Sequence, residues 1–186
     1  MDALEMLLGR ESALKLASPG PGQAALDVMF ESALRAPDHG RLRPWRFVVV
    51  PEDRRERFGD VMADCLRRQE PTASAEMLQR ERDKALRAPV IVVVAGQIQR
   101  GHKIPEVEQL VSTAAAAENI MLAARAQGFG AMWKTGAPAY DATVKQALGL
   151  DPDCEIVGFL YVGTQVGGGS PAARPVVRDL VSVWQG

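Results

Sequence analysis

The residues best suited to chemistry lie in one stretch, Leu34 to Phe47, which joins a predicted helix to a predicted strand. The stretch contains four arginines and one of the two histidines of the chain. Its two prolines fix their own φ angles and restrict the residue before them, so the loop is stiff. Guanidinium groups on a stiff loop are suited to binding phosphate or carboxylate. The stretch therefore predicts an anion-binding site, although most charged loops of this kind are simple surface connections.

Length and composition are those of an ordinary globular protein. The 186 residues favour one domain with a single core. A net charge of −1 without a basic tail argues against nucleic acid or a membrane surface as a partner. The longest apolar run, residues 89–96, is far shorter than the ~20 residues of a membrane helix.

The cysteines and histidines predict neither a disulfide nor a metal site. Cys65 and Cys154 are far apart in the sequence. Because no signal peptide is recognised, we expect reduced thiols in a cytoplasmic protein. The histidines, His39 and His102, have no cysteine close by, so no metal ligands are predicted.

Hydrophobic periodicity predicts strands interleaved with helices, which is typical of an α+β or α/β fold. Strands are predicted at residues 45–50, 89–96, 129–133 and 155–162. Helices are predicted at residues 2–9, 23–35, 53–68, 74–87, 106–127 and 141–149. The longest helix contains four consecutive alanines, which favours a place at the centre of the fold or of a dimer interface. A flexible linker is predicted at 167–171. The apolar tail after it is expected to pack against a protein surface, which could be that of a neighbouring subunit.

Several short motifs, in this order along the chain, resemble those of the FMN-dependent nitroreductases. They are Arg10-x-Ser12 after the first helix, Arg35-Ala36-Pro37 followed by Pro44-Trp45, and Gly128-Phe129-Gly130-x-x-Trp133 after the alanine-rich helix. The resemblance covers essentially the whole chain and is strongest to a short bacterial branch of the family. Each motif alone is unspecific, but their common order is a specific signal.

The resemblance implies an α+β, nitroreductase-like fold in which residues 1–186 form a single FMN-binding domain. A central mixed or antiparallel sheet of four to five strands would be flanked by helices. The molecule would be an intertwined homodimer, with the C-terminal tail, about residues 170–186, packed on the partner subunit. Two FMN sites would each be built from both subunits.

The same resemblance implies roles for individual residues. Arg10, Glu11 and Ser12 would hold the FMN phosphate, with Arg174 as a further phosphate ligand. Arg35 and His39 would come from the anion-binding loop, one of them reaching the flavin of the other subunit. Trp133, Lys134 and Thr135 would line the isoalloxazine ring. Many relatives have a second arginine where this chain has Glu11, so we expect another arginine to compensate the phosphate charge.

The implied function is a flavin-dependent oxidoreductase. NAD(P)H would reduce FMN, which would pass two electrons to a nitroaromatic, a quinone or a similar small electrophile, so no catalytic side chain is required. One alternative is a flavoprotein of the same fold that catalyses flavin fragmentation, dehalogenation or dehydrogenation. Another is a non-enzymatic flavin-binding dimer. The choice between NADH and NADPH, the physiological acceptor, and the roles of Arg41, Arg43, Arg46 and His102 stay open at this point.

Overall fold

The structure, a computed structural model, describes residues 2–168 and 173–186. Its helices are α1 (Ala3–Leu8), α2 (Gln23–Ala33), α3 (Arg55–Gln69), α4 (Ala75–Asp83), α5 (Glu106–Ala126) and α6 (Ala142–Ala147). Its strands are β1 (Leu16–Ala17), β2 (Trp45–Val50), β3 (Val90–Gln97), β4 (Gly130–Lys134) and β5 (Cys154–Gln165). Among the described residues, none of these helices combines the length and the hydrophobicity needed to cross a membrane.

The five strands form one sheet in which every pairing is antiparallel. The longest strand, β5, organises the sheet because it pairs with β1, β3 and β4, while β2 pairs with β3. The prediction of four to five strands is confirmed in its antiparallel form. Strand β1 was not predicted, since two residues are too few to show an alternating pattern.

Strand β3 runs through the middle of the sheet and is apolar on both of its faces. Ile91, Val92, Val93, Val94 and Ala95 are fully buried. A strand can be apolar throughout only where both faces of the sheet are covered, which is the case here.

The helices cover the two faces of the sheet and form two cores. Helices α2 and α5 pack on one face, where Met29, Ala33, Ile120 and Leu160 are among the buried residues. Helices α3 and α6 pack on the other face, where Phe58, Cys65, Phe159 and Tyr161 belong to the buried cluster.

Helix α5 lies at the centre of the fold, as its alanine content predicts. Ala116, Ala117 and Ala124 have no exposed surface, because small side chains let the helix approach the sheet closely. Its opposite face is uncovered in the single chain, where Val107 and Val111 are each 62% exposed.

Most predicted helix ends are confirmed by their caps. Gly9 ends α1, the Asp141 carboxylate accepts from the N–H of Val144 at the start of α6, and Gly128 has a φ of 85° after α5. Helix α4 is shorter than predicted, ending at Asp83 and continuing as one 3₁₀ turn, Lys84–Leu86.

The C-terminal segment makes little contact with its own chain. Gly167 and Gly168 of the predicted linker are described, and its remaining residues lie outside the described range. All residues of 173–186 are exposed, including Trp184 at 90%. The apolar side chains of this tail are therefore not covered within the single chain.

Candidate functional site

Arg10, Ser12 and Arg174 lie together where the N-terminal segment runs beside β4. The N–H of Ala13 donates to the carbonyl of Ala131 at 3.0 Å, which pins the segment to that strand. The guanidinium of Arg174 donates to the carbonyl of Arg10 at 2.6 Å, although 164 residues separate the two. The structure thus brings the predicted C-terminal arginine to the predicted N-terminal motif.

This cluster has the donors that an anion requires. Arg10 is 3.6 Å from the carboxylate of Glu118 on α5, with its side chain mostly shielded from solvent. Ser12 is exposed, and its hydroxyl makes no hydrogen bond within the described residues. The Glu11 carboxylate accepts from the amide of Gln165 at 3.4 Å. Two guanidinium groups and a free hydroxyl in one place are suited to a phosphate.

A third arginine, Arg125, lies directly behind the turn that carries this cluster. An added Cβ on Gly9 would come within 2.4 Å of Nη2 of Arg125, so a larger residue at this position would have to displace the guanidinium. The Nε of Arg125 is buried and has no hydrogen-bond partner among the described residues. Sequence analysis did not identify Arg125, since nothing in the pattern of α5 distinguishes it from an exposed arginine.

The loop at residues 34–44 is fixed by Asp38. Its carboxylate accepts from the N–H of Leu42 at 3.2 Å and from that of Arg43 at 2.8 Å. His39 then contacts α5, with Nδ1 2.6 Å from a carboxylate oxygen of Glu108. The predicted stiffness of this loop thus has a physical basis beyond its two prolines.

Arg35 and His39 are not brought together within one chain. Arg35 lies in a shallow groove of about 360 Å³ between α1, α2 and α5, beside Asn119. His39 contacts Glu108, and the 11 residues from Glu108 to Asn119 correspond to roughly 16 Å along a helix. The two side chains therefore lie near different ends of α5.

Trp133 and Lys134 point to opposite faces of the sheet, because side chains alternate along a strand. Trp133 packs on the face covered by α5. Its indole N–H donates to the carbonyl of Val157 at 3.1 Å, and its ring covers Gly158. Lys134 and Thr135 line a cavity on the other face, so the structure does not place these three predicted residues in one pocket.

The cavity lined by Lys134 and Thr135 has a volume of about 340 Å³, within the range of small-molecule sites. Charged and polar groups of several elements meet in it, namely Gln69, Glu70, Glu81, Lys84, Arg87, Lys134 and Thr135. Lys84 forms an ion pair with Glu81. Neither Arg87 nor Lys134 has a carboxylate partner within the described residues, so positive charge is in excess there.

Two side chains that line the cavity, those of Tyr161 and Cys65, have raised pKa values. Burial raises the pKa of the Tyr161 hydroxyl to about 12. Burial, together with the nearby Asp141 carboxylate, raises the pKa of the Cys65 thiol to about 11. Both groups are therefore neutral near pH 7 and add no charge to the cavity.

The segment that carries Arg10 and Ser12 continues into the core beneath the cavity. Ala13 and Leu16 belong to the same buried cluster as Cys65, Phe159 and Tyr161. Three residues separate Ala131, where the N-terminal segment is pinned, from Lys134 at the cavity, which is about 10 Å along a strand. The arrangement is suited to a molecule with a phosphate at one end and a polar ring system at the other.

Sequence analysis missed the α4 side of the cavity. The sequence predicts a helix over residues 74–87 and assigns no site to it, yet Glu81, Lys84 and Arg87 line the cavity. Their spacing of three residues puts them on one side of a helix. That spacing was the available signal, but a surface helix shows the same pattern.

Known proteins resemble this chain over most of its length. The profile of the nitroreductase family matches residues 9–164. The "putative NAD(P)H nitroreductase YdjA" of Escherichia coli K12 is 38% identical over 167 residues, which cover 88% of each chain.

Solved structures share the fold. A nitroreductase-like family protein from Bacillus cereus superimposes with a TM-score of 0.88 at 22% identity, covering 100% of this chain and 97% of that one. A "putative nitroreductase" from Desulfovibrio desulfuricans, solved in complex with FMN, has a TM-score of 0.77 at 24% identity and covers 98% of both chains.

Proposed function

This chain belongs to the nitroreductase family, and from that premise we propose that it is an FMN-dependent oxidoreductase. In this proposal NAD(P)H is the electron donor, and a nitroaromatic, a quinone or a similar small electrophile is the acceptor. The observation that carries the proposal is the anion cluster at Arg10 and Arg174, whose chain segment is pinned to β4, the strand that ends at the cationic cavity. FMN has the matching shape and charge, and it is the ligand named for the Desulfovibrio desulfuricans protein.

At the phosphate end, Arg10, Ser12 and Arg174 are the proposed ligands. Arg10 keeps its position through Glu118, and Arg174 through the carbonyl of Arg10. Glu11 contributes its backbone N–H, because its carboxylate is hydrogen-bonded to Gln165 and would repel a phosphate. Arg174 thus compensates for the second arginine that many relatives have at the position of Glu11.

At the ring end, Lys134, Thr135 and Lys84 are the proposed ligands. Their donors suit the electron-rich edge of a flavin, where negative charge accumulates on reduction. Trp133 would not contact the ring directly in this proposal. It would position Lys134, because its hydrogen bond to the carbonyl of Val157 fixes the strand that carries both residues.

The chemistry of the bound cofactor would be a two-electron exchange, with hydride accepted from NAD(P)H and electrons passed on to the acceptor. The side chains of the chain bind, orient and stabilise charge. Tyr161 and Cys65 keep their protons near pH 7 because burial raises the pKa of each, to about 12 and about 11 respectively. These two groups therefore add no negative charge to the cavity.

We further propose that the functional molecule is a homodimer. The exposed apolar face of α5, with Val107 and Val111, would pack on the partner. The tail at 174–186 would cover the partner too, since Trp184 and Leu180 are uncovered in the single chain. In the dimer, Arg35 or His39 would reach the flavin of the partner subunit.

Binding of FMN tests the proposal. The purified chain is expected to contain FMN, or to take up one FMN per chain, measured by its visible absorbance and by quenching of flavin fluorescence. Replacing both Arg10 and Arg174 with glutamine should weaken binding by about tenfold or more, because two charged hydrogen bonds are lost.

The matched control is Arg80→Gln on α4, which removes a charge from an exposed ion pair with Glu76. This variant should bind FMN like the parent chain. Failure of the parent chain to take up FMN, or equal weakening by both changes, would refute the proposed site.

A further inference from the structure

Two arginines in the loop after His39 have a backbone conformation that is unusual for them. Arg41 has a φ of 56° and Arg43 a φ of 50°. Positive φ brings Cβ close to the backbone and is uncommon in residues other than glycine, asparagine and aspartate. Such conformations persist only where the surrounding structure enforces them, and they concentrate at functional sites.

The loop enforces this conformation through two contacts. The Asp38 carboxylate accepts from the N–H of Arg43 and of Leu42, so its charge is committed to the backbone. Gly40 packs so closely on Ile104 that an added Cβ would lie 2.2 Å from the isoleucine side chain. The conformation of Arg41 and Arg43 is therefore built into the fold.

The charges on the loop fall into two groups. Arg46 donates to the carbonyls of Arg43 and Trp45, so its guanidinium is used within the loop. Arg41 and Arg43 are exposed, and within residues 2–168 and 173–186 neither has a carboxylate partner. Two uncompensated guanidinium groups two residues apart are suited to a dianionic phosphate.

We propose that Arg41 and Arg43 bind the 2′-phosphate of NADPH and make the enzyme prefer NADPH to NADH. The inference rests on the proposed function, in which the loop of one subunit reaches the cofactor of the other. Arg41 and Arg43 follow His39 by two and four residues, so their Cα atoms lie within about 7 and 14 Å of it. A dinucleotide with its nicotinamide on the flavin can span that distance, and the 2′-phosphate is the only group that distinguishes NADPH from NADH.

The test compares kcat/KM for NADPH and NADH in the FMN-loaded enzyme. The parent enzyme should prefer NADPH by about tenfold or more, the effect of losing one charged hydrogen bond. The double change Arg41→Asn and Arg43→Asn should remove most of that preference and leave kcat/KM for NADH unchanged. Asparagine suits this test because it tolerates positive φ and so preserves the loop.

A binding measurement supports the kinetics without turnover. In calorimetry, adenosine 2′,5′-bisphosphate should bind the parent enzyme more tightly than AMP, and the double variant should bind the two alike. Inorganic phosphate is included as a competitor, since comparable binding of phosphate alone would indicate a general anion site and overturn the assignment to NADPH. Arg57→Gln, in α3 beyond the opposite end of β2, removes a comparable exposed charge and should change neither result.

Three outcomes would overturn the inference. The first is a parent enzyme that does not prefer NADPH, and the second is a double variant that loses activity equally with both nucleotides. The third is FMN binding without turnover of either nucleotide, which would refute the proposed function as well. If the double variant does not fold, Arg41→Gly and Arg43→Gly replace it, because glycine adopts positive φ without strain.

Discussion

Arg35 and Arg46 are found near opposite ends of one loop, and their surroundings predict different effects of mutation. Arg46 is hydrogen-bonded to two carbonyls of its own loop, whereas Arg35 is exposed in the groove beside α5. We expect Arg35→Gln to weaken FMN binding by about tenfold, because a charged donor to the partner's cofactor is lost.

Arg46→Gln is the matched control for this prediction and should change FMN affinity less than about twofold. Titration of the apo-protein with FMN, followed by flavin fluorescence, measures both variants. Equal losses of affinity would show that the loop contributes only through its total charge.

Gly158 is required by the indole of Trp133. An added Cβ would lie 2.0 Å from the indole nitrogen, so Gly158→Ala must displace the ring and break its hydrogen bond to Val157. Overpacking of this kind costs about 1–3 kcal/mol in the free energy of unfolding. Urea denaturation measures the change, and Gly168→Ala, which meets no atom within 4 Å, is the control. A cost below ~0.5 kcal/mol for Gly158→Ala, as for an ordinary surface substitution, would contradict the close packing described here.

At the residue scale, a motif can be recognised from the sequence where it is local. Arg10 and Ser12 are two residues apart and could be assigned together, whereas the meeting of Arg174 with Arg10 is a long-range contact that the resemblance alone suggested. The separation of Trp133 from Lys134 follows from strand alternation and could have been predicted. The position of Lys84 in the cavity could not have been predicted, because it depends on how α4 packs against the sheet.

Helix α6 has only six residues, so its stability depends strongly on the cap that Asp141 provides. The Asp141 carboxylate accepts from the N–H of Val144 at 2.9 Å and from Arg68 of α3, also at 2.9 Å. Asp141→Ala should therefore lower the free energy of unfolding by about 1–2 kcal/mol near pH 7, through loss of the cap and of a partly buried ion pair. Asp64→Ala, which removes only an exposed pair with Arg67, should cost much less.

The effect of Asp141 should depend on pH in a defined direction. Burial alone would raise the pKa of this carboxyl, but hydrogen bonds from Val144 and Arg68 outweigh burial, and the net pKa is lowered. A lowered pKa in the folded state gives stability that is present above the unfolded pKa of about 3.9 and is lost as pH falls through the folded pKa. The difference between the parent chain and Asp141→Ala should therefore shrink below about pH 4. Denaturation at pH 7 and pH 3 measures it, and a difference that grows on acidification would contradict the assignment.

At the scale of elements, the sequence predicts most of the fold. The predicted strands and helices agree with the structure to within a few residues, because long periodic segments and caps are local signals. Strand β1 escapes prediction, since Leu16 and Ala17 become a strand only through pairing with β5. The end of α4 was predicted too late, because the 3₁₀ turn at Lys84–Leu86 has the composition of a continued helix.

The single chain leaves apolar side chains uncovered on one face of α5 and along the C-terminal tail. Exposed apolar residues that gather into a patch mark interaction sites. We expect the parent chain to be a dimer and Val111→Glu to be largely monomeric, because a carboxylate would be buried in the proposed interface without a partner. Light scattering after size-exclusion chromatography measures the mass.

Met77→Glu on α4 is the control for the dimer prediction, because Met77 is also an exposed apolar residue. This variant should stay dimeric. A monomeric parent chain, or loss of the dimer in both variants, would refute the proposed interface.

The central claim at the scale of the molecule is that the chain binds FMN and transfers electrons from a nicotinamide nucleotide through it. The most direct test is the visible spectrum of the FMN-loaded protein under nitrogen. Addition of NADPH should bleach the flavin absorbance, and addition of a nitroaromatic such as nitrofurazone should restore it without oxygen. Bound FMN whose absorbance is unchanged by both NADPH and NADH would contradict the claim.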